Sequence, residues 1–257
     1  EQIKIHLPEG SLVDQSANPN RTTEFLVYNT LRKAMNTAET EWEDTATSGF
    51  LGNSTIQRQN IDQVVFVEKL NGAPTIGTES AEGVILCWDV SAVRDNSILA
   101  WATQTTEQAA KGVYTVTIGS NYDIYRSKDD IYGNINSSYL FSYVGYSSNS
   151  IATNTINGIS LLDTRNVTNM SYMFNCCGHK TMTALELGNN FDTIRVTDMS
   201  YMFQGCGYTA MSTFSFGSKF DTSNVTNMDH MFNNWGHTAM TSLDLSAEGV
   251  NFNTINL

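Results

Sequence analysis

The chain has 257 residues, 40% of them apolar and 11% aromatic, with a formal net charge of −12. This composition argues against intrinsic disorder and fits one large or two small domains with a substantial core. The acidic balance, with 14 Lys plus Arg nowhere clustered, argues against a nucleic-acid partner, and no apolar run approaches the roughly 20 residues of a membrane-spanning helix.

Glu1-Gln2-Ile3 opens without the charged and apolar regions of a signal peptide, so the sequence reads as a processed chain or an excised segment. Residues 23–44 predict one helix, with Val27, Leu31, Ala34, Met35, Ala38 and Trp42 on one face. Pro19 precedes it, and Gly49 and Gly52 mark a loop after it. Ile61 to Leu70 reads as a strand ended by Asn71-Gly72, and Val84 to Val90 as another. Tyr114 to Ile118 alternates and is expected to be the first, degenerate coil of a repeat array; residues 120–158 read as loops over a cap. The expected domains are an N-terminal α/β region over 1–80, a cap with that first coil over 81–155, and tandem repeats over 156–257.

The repeats align without a gap at a period of 29 residues. Asp163-Thr164-Arg165-Asn166-Val167-Thr168-Asn169-Met170 is followed by Ser171-Tyr172-Met173-Phe174, and the same pattern returns from Asp192 and from Asp221. Cys177-Gly178-His179 matches Cys206-Gly207-Tyr208 and Trp235-Gly236-His237, and Leu185-x-Leu187 matches Phe214-x-Phe216 and Leu243-x-Leu245. The last set alternates as short strands do, with Gly188 and Gly217 at their ends. Val167, Met170, Met173 and Phe174 share one face at helical spacing, with Asn or Asp before the first Met as a cap. Each unit is thus expected to be a strand, a turn, a short helix and a glycine turn, too small to fold alone. Stacking would place Met170, Met173 and Phe174 in core columns with Met199, Met202 and Phe203, and with Met228, Met231 and Phe232. Phe252-Asn253-Thr254 restarts the pattern after three inserted residues, which leads us to expect that the natural protein continues past Leu257.

Phe220-Asp221-Thr222-Ser223-Asn224-Val225-Thr226-Asn227-Met228, followed by Met231-Phe232, resembles the repeat of BspA-like leucine-rich-repeat surface proteins of bacteria. The resemblance covers about 156–257 and extends more weakly upstream, through Asp89-Val90-Ser91, Ser97 to Trp101, Tyr114 to Gly119 and Ser137 to Phe141. His230 stands where the other repeats have Tyr, and Trp235 where they have Cys. The resemblance implies an α/β repeat fold, a right-handed leucine-rich-repeat-like solenoid of one short strand and one short helix per coil. It also implies an extracellular or cell-surface location and a role in adhesion, with a host or neighbouring-cell protein or glycan as partner.

The residues themselves carry no catalytic motif: no nucleophile elbow, zinc-protease helix, phosphate loop or dinucleotide fingerprint is present. No enzyme activity, cofactor or metal is therefore expected. His179, His230 and His237 lack a second pair of ligands at suitable spacing for zinc. Asp123, Asp129, Asp130 and Asn134 around Gly133 lack the spacing of a calcium loop and read as a hydrated acidic loop. Asp163, Asp192 and Asp221 suit turn capping. Cys177 and Cys206 would lie on neighbouring coils, with parallel side chains that favour free thiols over a disulfide. The binding candidates are two columns, Tyr172–Tyr201–His230 and His179–Tyr208–His237. Exposed, each is a strip with polar tips suited to sugars or protein; buried, each only stiffens the array. The alternative function is structural, a self-assembling subunit or spacer of a surface filament, S-layer or virion appendage.

Overall fold

The computed structural model describes residues 4–6 and 24–26 through their backbone, and 56–67, 76, 83–92, 96–120, 131–246 and 249–256. Strand β1 (Lys4–His6) pairs antiparallel with β2 (Glu24–Leu26). The helix expected over 23–44 therefore begins in extended chain, and the rest of that prediction lies outside the described residues.

Strands β3 (Ile61–Val67), β4 (Val84–Asp89), β5 (Ile98–Thr103) and β6 (Tyr114–Ser120) join β8 (Ile156–Asn157) in a five-stranded sheet of order β4-β5-β6-β3-β8. β5 runs antiparallel to both β4 and β6, whereas β6, β3 and β8 are parallel to one another. Ile61, Val64, Phe66, Ala100, Ala102, Val116 and Ile118 are buried on this sheet. Helix α1 (Thr106–Lys111) links β5 to β6. Thr105 and Gln108 form a reciprocal cap at its start, and Gly112 closes it in the left-handed region.

Beyond β8 the repeats are built of turns and very short strands. β7 (Ile131–Tyr132) pairs in parallel with β9 (Leu162–Asp163), and β10 (Ala184–Glu186) with β11 (Thr213–Ser215). Single parallel bridges join Asn136 to Asn169, Asn169 to Asp198 and Asp198 to Asn227. The core is continuous from the sheet into this stack: Phe66 meets Phe141 edge-on at 6.0 Å, and Gly145 N donates to Ile61 O at 2.6 Å.

These observations correct the expected α/β leucine-rich-repeat-like solenoid. Among the described residues α1 is the single α-helix, and it lies outside the repeats. The segments expected to be short helices are runs of turns, and the hydrogen bonds show why. Met170, Tyr172, Phe174 and Cys176 donate their N–H groups to Asp198, Ser200, Met202 and Gln204 of the next repeat, at 2.7–2.9 Å. The residues between them close four-residue turns, as Met173 N does on Met170 O and Asn175 N on Tyr172 O. An α-helix needs every interior N–H for its own turn; here alternate ones leave for the neighbouring repeat. Such alternation requires left-handed backbone at Tyr172 (φ 57°), Cys176 (φ 54°) and Gly178 (φ 57°).

Two further expectations change. Tyr114–Ser120 is an interior strand of the mixed sheet and not a first coil; its alternation reflects one buried sheet face. Leu243-x-Leu245 forms no strand: Asp244 Oδ1 accepts from the N and Oγ of Ser246, which bends the chain into a turn. Phe252-Asn253-Thr254 does sit on the third repeat, where Thr222 Oγ1 donates to Asn253 O at 2.8 Å, as Thr193 Oγ1 does to Asp221 O at 2.7 Å.

Candidate functional site

The alternating turns place side chains of equal rank directly above one another. Tyr139, Tyr172, Tyr201 and His230 form one column, with ring centroids 4.7, 4.6 and 4.9 Å apart and planes within 8° of parallel. Tyr146, His179, Tyr208 and His237 form a second, at 5.1, 4.9 and 4.9 Å. A third, Phe141–Phe174–Phe203–Phe232, runs through the core at 5.2, 5.3 and 5.8 Å. These separations follow the spacing of parallel strands, about 4.8 Å, and each stacked pair adds roughly 0.5–1.5 kcal/mol beyond burial.

The core positions read from the repeat are placed as columns. Met170, Met173, Phe174, Met199, Met202 and Phe203 are fully buried and Met231 nearly so; Met228 and Phe232 are half-buried. Cys177 and Cys206 are neighbours in the same core, and all four cysteines are free thiols. Burial drives the Cys206 thiol well above its ordinary value, reinforced by Cys177. Asp163, Asp192 and Asp221 each cap a turn by accepting from the backbone N–H two residues on. Asp123, Asp129 and Asp130 lie outside the described residues, and Asn134 caps the turn at Asn136.

Between the first two columns runs a groove of about 470 Å³. Tyr139 and Tyr172 form one wall, and His179 and Tyr208 the other. The floor holds Asn175, Cys176, Gln204, Gly205 and Asn234, with Tyr143 at one end. Tyr201, His230 and His237 belong to the columns but do not line the groove. Asn175, itself 6% exposed, donates from Nδ2 to Gln204 Oε1 at 2.9 Å. Burial holds the His179 imidazole below its ordinary value, with the Lys180 charge acting the same way and the Gly205 carbonyl opposing. Burial raises the Cys176 thiol, against a hydrogen bond with Tyr143. At neutral pH the groove is therefore lined by uncharged phenols, amides, an imidazole and a thiol.

In the Tyr139–His230 column the rings lie face to face and occupy one another's flat faces; in the second column Tyr146 is tilted 50° to His179, and the other two pairs stack within 24°. What reaches the groove is the ring edges and hydroxyls, which both donate and accept. Tyr139, Tyr143, Tyr146 and the amide floor do not emerge from the 29-residue alignment as used above. Residues 136–146 pair with 169–179 at an offset of 33, so the gap hides a further repeat. The floor does carry a signal: Asn175 and Gln204 hold an amide at one repeat position, which Asn233 continues in the third repeat outside the lining.

Residues 145–247 match the family described as "Mycoplasma protein of unknown function, DUF285", a span that takes in the three aligned repeats. No curated protein and no solved structure gives a significant match.

Proposed function

We propose that this chain is a non-enzymatic binding module of a bacterial cell-surface or secreted repeat protein, and that it serves adhesion by holding an extended partner in the groove between the tyrosine columns. The family match over 145–247 and the likeness of the Phe220–Phe232 motif to surface-protein repeats support the setting. The observation that carries the reading is the groove itself. It is a long uncharged trough with repeated hydroxyl and amide groups at one spacing, a form suited to many weak, equivalent contacts. Such a surface grips by repetition and does no chemistry on its partner.

The test is a binding screen of the 257-residue chain against immobilised glycans and matrix proteins, beside a Tyr172→Phe/Tyr208→Phe variant. Phenylalanine keeps both stacks and removes both hydroxyls. Binding by the parent that weakens about tenfold or more in the variant, at unchanged thermal midpoint, supports the reading. No binding by the parent, together with concentration-dependent filaments under the electron microscope, favours the structural-subunit alternative.

A further inference from the structure

We infer that the occupant of the groove is a linear, neutral glycan lying along the stack, and that extended peptides and anionic polysaccharides are poor ligands. This inference rests on the reading of the groove as a binding site.

Three observations carry it. The middle of the floor has committed its backbone donors: Cys176 N donates to Gln204 O at 2.7 Å, Gly205 N to Asn233 O at 2.9 Å, and Asn175 N and Gln204 N close their own turns. Capture of a peptide by strand addition needs unpaired N–H and C=O groups, and the donors of Asn175, Cys176, Gln204 and Gly205 are taken up within the stack. The spacing also disfavours a peptide. An extended chain advances roughly 3.3 Å per residue, out of step with rings 4.6 and 4.7 Å apart. A pyranose unit with its linkage is longer than one extended residue and so lies nearer the rung spacing of 4.6 and 4.7 Å. Finally, no Asp, Glu, Lys or Arg lines the groove, and the chain carries a net charge of −12. Sulfated or uronic acid chains would meet the negative charge of the molecule with no charged side chain in the lining to hold them, Lys180 lying beside His179 but outside it. Sugar hydroxyls both donate and accept, and so do the phenols and amides facing them.

The experiment is titration calorimetry of the 257-residue chain with cellohexaose, maltohexaose and chitohexaose, and with heparin and hyaluronan hexasaccharides, at low and physiological salt. Tyr172→Phe and Gln204→Ala variants run beside the parent. The inference predicts that a neutral hexasaccharide binds with little salt dependence and more tightly than its di- and trisaccharides. It predicts about tenfold weaker binding in each variant, the loss of one hydrogen bond's worth of affinity. Tighter binding of heparin or hyaluronan, falling with salt, would overturn the inference and leave the groove a binding site. So would matrix-protein binding that Tyr172→Phe abolishes with no glycan binding. Absence of any groove-dependent ligand removes both the inference and the reading beneath it.

Discussion

At the scale of single residues, the stack depends on positions where a side chain has no room or no replacement. Gly178 and Gly207 sit at φ 57° and 55°, and a Cβ on either would come within 2.4 Å of the Cβ of Met182 or Met211. Gly207→Ala combines left-handed strain with overpacking, and should cost about 2–5 kcal/mol in urea unfolding. Gly112→Ala, also at positive φ but with nothing within 4 Å, should cost only about 1 kcal/mol. Equal costs at the two sites would contradict the packing account. Phe203 is stacked between Phe174 and Phe232 and touched edge-on by Phe214. Its change to Ala should remove about 3–5 kcal/mol of stability. Titration adds a pH dependence. His179 titrates below its ordinary value near 6.5 because burial disfavours the charged ring. Its contribution is complete above that value and is lost as pH falls through the lowered folded value. His179→Tyr keeps a ring at this position, as Tyr208 does in the next repeat, and should flatten the urea midpoint between about pH 7 and 5.

At the scale of elements, the Thr-Asp turns show how repeats are joined. Thr193 is fully buried; its Oγ1 donates to Asp221 O at 2.7 Å and accepts from Asp221 N at 2.7 Å. Thr193→Val keeps the shape and leaves both backbone groups unmatched, which should cost about 1–3 kcal/mol by chemical denaturation; a neutral result would show that this joint is dispensable. The period was legible because these Asp, Thr, Met and Phe positions recur without a gap. The helix was misread for a definite reason. Val167, Met170, Met173 and Phe174 are buried together whether the backbone coils as a helix or as linked turns. The deciding partner of Met170 N is Asp198 O, in another repeat, and the hydrophobic spacing within one repeat does not encode it. The groove was half legible. The tyrosine columns follow from the alignment, whereas Tyr139 and Tyr143 were hidden by the offset of 33, and the amide floor needed the alternating turns to face the trough.

At the scale of the molecule, the sheet and the repeats share one core and direct backbone bonds. β8 joins the repeat region to the five-stranded sheet, Val64 N donates to Thr155 O at 2.8 Å, and buried Arg58 reaches Tyr139 O at 3.0 Å. The sheet thereby fixes the first rung, and each rung positions the hydroxyls and amides of the next, which gives the groove its regular spacing. A ligand that spans several rungs should therefore protect amides along the groove and leave the sheet strands unchanged. The most direct measurement is hydrogen exchange of the 257-residue chain with and without a saturating neutral hexasaccharide. The account predicts slowed exchange in the successive rungs around Tyr172–His179 and Tyr201–Tyr208, with β4 and β5 unaffected. Slowing confined to the sheet, or spread evenly over the chain, would place the ligand elsewhere and contradict the groove as the functional surface.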